Sequence, residues 1–200
     1  MVESQTLPSH NPSTTNQSPT TVQTDVLIVG SGSAGLLASL WLSRLNISHL
    51  ILERSTGPLQ RGQADGVQCR TVEVYASFGL SSTILDEAYH VLEDTFWGED
   101  GKGGLQRLKV EADSRKGLSH LPHLILNQAR MNGVLLEAAK KWGGGSVEYG
   151  VKVDRVEVDK QIAESDEDSY AASVYADKDG EDVVYKAKYV LVSFMISPSI

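Results

Sequence analysis

The segment from Asp25 to Glu53 constrains this chain more than any other. It reads Asp-Val-Leu-Ile-Val-Gly-Ser-Gly-Ser-Ala-Gly-Leu, continues through an apolar stretch and closes on His-Leu-Ile-Leu-Glu-Arg. Val26–Val29 is a β-branched and apolar run, the pattern of a central parallel strand covered on both faces. Gly30 permits a sharp turn, and Gly32 leaves the backbone bare where a pyrophosphate can approach. Gly35 lets the next helix pack closely on the strand, while the free N–H groups of its first turn, around Ser33 and Ala34, face the phosphates. A second strand, His49–Leu52, delivers Glu53 18 residues after Gly35. A carboxylate there accepts both hydroxyls of an adenosine ribose and repels a 2′-phosphate. Three glycines alone are common in loops. Strand, helix, second strand and terminal acid together make a grip for an adenine dinucleotide, with NAD and FAD both open.

Composition narrows the partners. The chain has 200 residues and a net charge of −8 with no basic cluster, which argues against nucleic acid. Cys69 is the single cysteine, so no intrachain disulfide forms, as suits a reducing compartment. The apolar stretches are too short to span a bilayer. A soluble, intracellular, cytoplasmic protein is expected, its oligomeric state open. Residues 1–24 hold ten Ser or Thr, three Pro and no Lys or Arg, and are expected to form a disordered tail rather than a signal or transit peptide.

Further along, Ser55–Gly66 is a polar loop. The spacing predicts helices over Arg70–Phe78, from the Ser81 cluster through Ala88, and over Gln128–Trp142. Val91–Trp97 and Leu105–Glu111 form a hairpin, and His123–Leu126 a strand. Val147–Val158 alternates as strands do, and 159–169 is an acidic, exposed loop. Tyr170–Ala176 and Asp182–Ala187 pair across an Asp-Gly turn, with a further strand at Tyr189–Val192. The expected fold class is α/β: a Rossmann-like parallel sheet with helices, carrying an inserted antiparallel β-meander.

Gly-Ser-Gly-Ser-Ala-Gly-Leu, Leu-Glu-Arg-Ser and Gly62-Gln-Ala-Asp-Gly-Val-Gln-Cys-Arg-Thr-Val-Glu73 together resemble the opening of a flavin-dependent aromatic hydroxylase. The fungal phenol 2-monooxygenases are most similar, and Leu126-Asn-Gln-Ala-Arg130 resembles the family's helix start near the flavin. The resemblance implies FAD as cofactor, NAD(P)H as electron donor and a small phenolic substrate. It implies that Gly30, Gly32, Ser33, Ala34 and Gly35 hold the pyrophosphate, that Glu53 holds the ribose and that Arg54 lies beside the adenosine half. Gln63 and Gln128 join the cofactor set, Gln128 near the ribityl chain. Asp65 is the implied catalytic residue, orienting the phenol or accepting its proton.

Each assignment has a plainer competitor. Asp65 can stabilise a turn, Arg54 can be a solvated strand-end charge, and Gln128 can cap its helix. Arg70 can serve a salt bridge, Cys69 reads as a packed thiol, and His120 and His123 lack a third metal ligand. The pattern also breaks. After Tyr189-Val-Leu-Val192 the family turns through Asp-Gly, whereas this chain runs Ser193-Phe-Met-Ile-Ser-Pro-Ser-Ile200. The expected domains are therefore a tail at 1–24, an FAD-binding portion at 25–192 and a divergent segment at 193–200, in a truncated chain. A nicotinamide-only dehydrogenase domain and a non-catalytic remnant are the alternatives.

Overall fold

The computed structural model describes residues 21–62, 64–166 and 168–193. The first strand, β1 (Thr21–Val29), parallels β2 (His49–Glu53), and helix α1 (Ser33–Arg44) connects them. Leu27 and Ile28 are both fully buried, one on each face of the sheet, which explains the continuous apolar run. β1 starts at Thr21, earlier than expected. Thr21–Thr24 pair with Val184–Ala187 near the other end of the chain, so a polar, Thr-rich stretch becomes strand through its partner. Residues 1–20 of the expected tail lie outside the described residues.

Beyond β2 come β3 (Gly66–Val67), α2 (Cys69–Ser77), α3 (Ser81–Glu87) and β4 (Tyr89–Val91). The hairpin β5 (Glu93–Glu99) and β6 (Leu105–Ala112) forms a separate two-stranded sheet, and β3, β7 (His123–Ile125) and β4 form a three-stranded one. Helix α4 (Gln128–Lys141) leads to β8 (Val147–Tyr149) and β9 (Val151–Val158). Within the expected acidic loop lies a short helix, α5 (Lys160–Ser165), because the Asp159 carboxylate caps it by accepting from Gln161 N and Ile162 N at 3.0 and 3.1 Å. Strands β10 (Ala172–Lys178) and β11 (Glu181–Val192) meet at Asp179 and Gly180, with φ of 55° and 85°. Two positive φ values in a two-residue loop are what the Asp-Gly signal predicts. The two strands expected at 182–187 and 189–192 are one, because β11 pairs with β1 along its length.

The main sheet has the order β8-β2-β1-β11-β10-β9. Its first four strands are parallel and β9–β11 form the antiparallel meander, as expected. Helices α1 and α4 cover one face, where Leu36, Leu40 and Leu135 pack on Ile28 and Ile51. Fully burying each such side chain contributes about 1.5–3 kcal/mol. On the other face Leu27, Leu50 and Leu52 meet Val151, Val174 and Tyr185.

The two edge strands, β8 and β9, are consecutive in the chain and separated only by Gly150. The sheet must therefore curl until its edges approach. Gly150 makes the corner with φ of +73°. Glu148 fastens it, accepting from Lys178 Nζ at 2.8 Å and from the Tyr185 hydroxyl at 2.9 Å. Burial, and then the Glu148 carboxylate, push the Tyr185 hydroxyl well above its ordinary pKa. A methyl at Gly150 would meet nothing nearer than Asp179 Oδ1 at 3.7 Å, so its cost is the left-handed backbone alone. Gly150→Ala is expected to lose about 1 kcal/mol in urea denaturation. Wild-type stability in that variant would contradict a strained corner.

Candidate functional site

A cleft of about 860 Å³ opens at the carboxyl ends of β1 and β2. It is lined by the turn Gly30–Ala34, the segment Glu53–Gln60, Gln128 and Asn132 of α4, and Ser193. This is where the connections from β1 diverge, the usual ligand crevice of an open α/β sheet. Gly30 has φ of +103°, and its N–H donates to Leu52 O at 2.8 Å. A Cβ at Gly35 would lie 2.1 Å from the Gly30 carbonyl oxygen and 2.6 Å from Ser193 Oγ, so only glycine fits. A Cβ at Gly32 would meet only Ser193 O at 3.9 Å. The protein itself has room for a side chain there, yet leaves the approach to α1 open. No side chain caps α1, and no acid sits in its first turn. Its first N–H groups face an anion-ready space.

Glu53 borders this space. Its Oε2 accepts from the Ser31 N–H at 2.8 Å and the Ser31 hydroxyl at 3.0 Å. Its Oε1 accepts from the N–H and hydroxyl of Ser55, both at 2.9 Å. Burial alone would raise the carboxyl's pKa; the four hydrogen bonds outweigh it and hold the group below its ordinary value. On β8, Tyr149 pairs in register with Glu53. Its hydroxyl is pushed up by burial and then by the Glu53 charge.

The cleft brings together Gly30, Gly32, Ser33, Ala34, Glu53, Arg54 and Gln128. Arg54 is exposed, and no ion pair engages it among the described residues. Gln128 is not the helix cap: Asn127 caps α4, its side chain accepting from Ala129 N at 3.0 Å. Gly62 packs directly on Gln128, where a Cβ would fall 2.6 Å from the Gln128 Cβ. Asp65 does not line the cleft. It is exposed, with Oδ1 3.5 Å from the Asn127 amide, while its carbonyl accepts from Leu126 N at 2.8 Å. Gln63 lies outside the described residues.

Neighbouring groups have local partners. Arg130 grips Glu87 through two bonds of 2.6 and 2.7 Å, and Arg70 pairs with Glu73 at 2.5 Å. His123 Nδ1 lies 2.8 Å from Asp113, whose carboxyl is held low by that bond, and no metal-binding group of three His, Cys, Asp or Glu occurs among the described residues.

Sequence reasoning passed over Ser31, Ser55, Asn132 and Ser193. The first two had a signal, since each lies beside a motif residue in Gly-Ser-Gly and Glu-Arg-Ser. Asn132 is a polar residue within the apolar stripe of α4, four residues after Gln128. Ser193, assigned to the divergent segment, closes the turn from below. Its N–H donates to Val29 O at 2.9 Å and its hydroxyl to Gly30 O at 3.0 Å. Residues 194–200 lie outside the described residues.

The switch in the parallel sheet, the uncapped helix behind a bare glycine and the acid ending β2 define a dinucleotide-binding α/β domain. Residues 23–192 match the family described as FAD binding domain, and the chain belongs to that family. It is 46% identical over 172 residues to an FAD-dependent monooxygenase of Aspergillus terreus, covering 84% of this chain and 28% of the relative. It is 43% identical over 118 residues to a 3-hydroxybenzoate 4-monooxygenase of Comamonas testosteroni, covering 58% of this chain and 18% of the relative. The crystal structure of the flavin-dependent monooxygenase PieE with FAD and substrate superposes with a TM-score of 0.69 at 22% identity, over 84% of this chain and 30% of that one. The chain thus spans under a third of each of these proteins. No helix among the described residues is long and apolar enough to cross a membrane.

Because Glu53 has a lower pKa folded than unfolded, its stabilising contribution is present above the ordinary value of 4.5 and is lost as pH falls through the folded value. Glu53→Gln is expected to lower the thermal midpoint at neutral pH and to flatten its decline on the acid side. Thermal melts from neutral pH to below 4.5 check this. Parallel wild-type and variant profiles would contradict it.

Proposed function

We propose that this chain is the FAD-binding part of a flavin-dependent monooxygenase that hydroxylates a small phenolic ring with NAD(P)H and dioxygen. The observation that carries the reading is the cleft itself, bare at Gly32 and bounded by the Glu53 carboxylate, in a chain of the FAD-binding family. The antiparallel meander β9–β11 favours it over a nicotinamide-only dehydrogenase domain.

In this reading Gly30, Gly32 and Gly35 shape the turn, and the first-turn N–H groups at Ser33 and Ala34 bind the diphosphate. Glu53 accepts the ribose hydroxyls. All four of its lone-pair positions are taken by Ser31 and Ser55, so ribose must displace serine hydroxyls while the two backbone N–H bonds keep the carboxylate aimed. Ser55 has an alternative acceptor ready in Gly57 O at 3.0 Å. Arg54 flanks the adenosine half, Gln128 approaches the ribityl side, Gln63 belongs to the cofactor set by its motif, and Asp65 orients the phenol or takes its proton. The chemistry that bound FAD supplies is transfer of one oxygen atom from dioxygen to the ring.

Titration of purified protein with FAD, followed by flavin fluorescence, tests the reading. Wild type is expected to take up FAD, and Glu53→Ala to bind it about tenfold or more weakly, as for lost hydrogen bonds to a charged acceptor. Phenol-stimulated NAD(P)H oxidation with a hydroxylated product is the expected activity of the whole protein. Protein that takes up NAD but no FAD would overturn the reading in favour of a dehydrogenase domain.

A further inference from the structure

Asn132 is only 3% exposed, yet it is one of the residues that line the cleft. Its Oδ1 accepts from the Ser33 hydroxyl at 2.7 Å, joining α4 to the first turn of α1. Its Nδ2 is buried without a hydrogen-bond partner, the single such side-chain atom among the described residues. An orphaned buried donor carries its full desolvation penalty, and native interiors rarely keep one. Met131, Val134 and Leu135 of the same helix are buried and apolar, and the Ser33 hydroxyl is served by Oδ1 alone, so nothing in the protein calls for the Nδ2 donor. A leucine at 132 would suit that stripe. The chain instead holds a donor whose acceptor is missing from the protein, at the wall of a cleft built for a ligand rich in oxygen acceptors.

We propose that Asn132 is a cofactor-positioning residue, donating from Nδ2 to an oxygen of the diphosphate while its Oδ1 fixes the Ser33 hydroxyl. The diphosphate is the favoured acceptor because Asn132 is bonded to the first turn of α1, where an anion is stabilised. Asn132 thereby supplies a donor from α4 and sets the cofactor's position along the turn. This rests on the FAD reading above.

The test compares wild type, Asn132→Leu and Asn132→Asp for FAD and ADP affinity and for the thermal midpoint of the ligand-free protein. Asn132→Leu is expected to weaken both ligands by the same factor, roughly 5- to 10-fold for one lost hydrogen bond, with a ligand-free midpoint close to wild type, because removing the orphaned donor offsets the lost Ser33 bond. Asn132→Asp, nearly isosteric, replaces the donor with an anion and is expected to weaken both ligands further. A merely structural role would lower midpoint and affinity together, and that result overturns the proposal. So does wild-type affinity in the leucine variant or, should that variant not fold, in the aspartate one. Wild type that takes up neither FAD nor ADP would strike down the FAD reading itself, and this contact with it.

Discussion

The cleft depends on one close contact, the approach of Gly35 to the Gly30 carbonyl. A methyl at Gly35 would fall 2.1 Å from that oxygen, so α1 starts as near to the end of β1 as backbone allows. Ser193 completes the clamp from the third side, bonding Val29 O and Gly30 O. It stands there because β11 runs parallel to β1 with Val192 opposite Val29. A one-residue slip in that register would point Ser193 to the other face and release the turn. The local glycine geometry and a pairing across the whole chain are thus one constraint.

The acid side is tied in by the same ladder. Leu52 opposes Val29, and its carbonyl accepts the Gly30 N–H, which brings Glu53 beside Ser31. Ser55 then holds the other carboxylate oxygen, and its carbonyl accepts from the Gly150 N–H at 2.8 Å. The corner at which the sheet curls is therefore bonded to the loop that orients Glu53. Hydrogen bonds, rather than a cationic partner, keep the carboxylate ionised, which leaves the Arg54 charge uncommitted for a ligand.

The turn, α1, β2, Glu53 and α4 were legible because their signals are local: apolar periodicity, glycine spacing and a glycine-rich stop. The resemblance to flavin hydroxylases was legible for the same reason, in contiguous motifs within residues 25–130. What was not legible depends on distant partners. The polar start of β1 becomes strand only against Val184–Ala187, and Ser193 acquires meaning only beneath Gly30. α5 was missed because its cap, Asp159, reads equally well as part of an acidic loop. Asn132 was passed over because its partner, the Ser33 hydroxyl, lies 99 residues away and meets it only where α1 packs against α4. For Asp65, outside the cleft and beside the Asn127 cap, the proposed role comes from the motif around it.

The central claim is that the turn is packed shut at Gly35 and left open at Gly32 for a diphosphate. Gly32 has φ of −68° and ψ of 175°, a conformation any residue adopts, and a Cβ there has no close neighbour. FAD affinity and thermal midpoint measured on Gly32→Val test the claim directly. The account predicts a stably folded variant with a near-wild-type midpoint that no longer takes up FAD. A Gly32→Val protein that binds FAD as wild type does would contradict it.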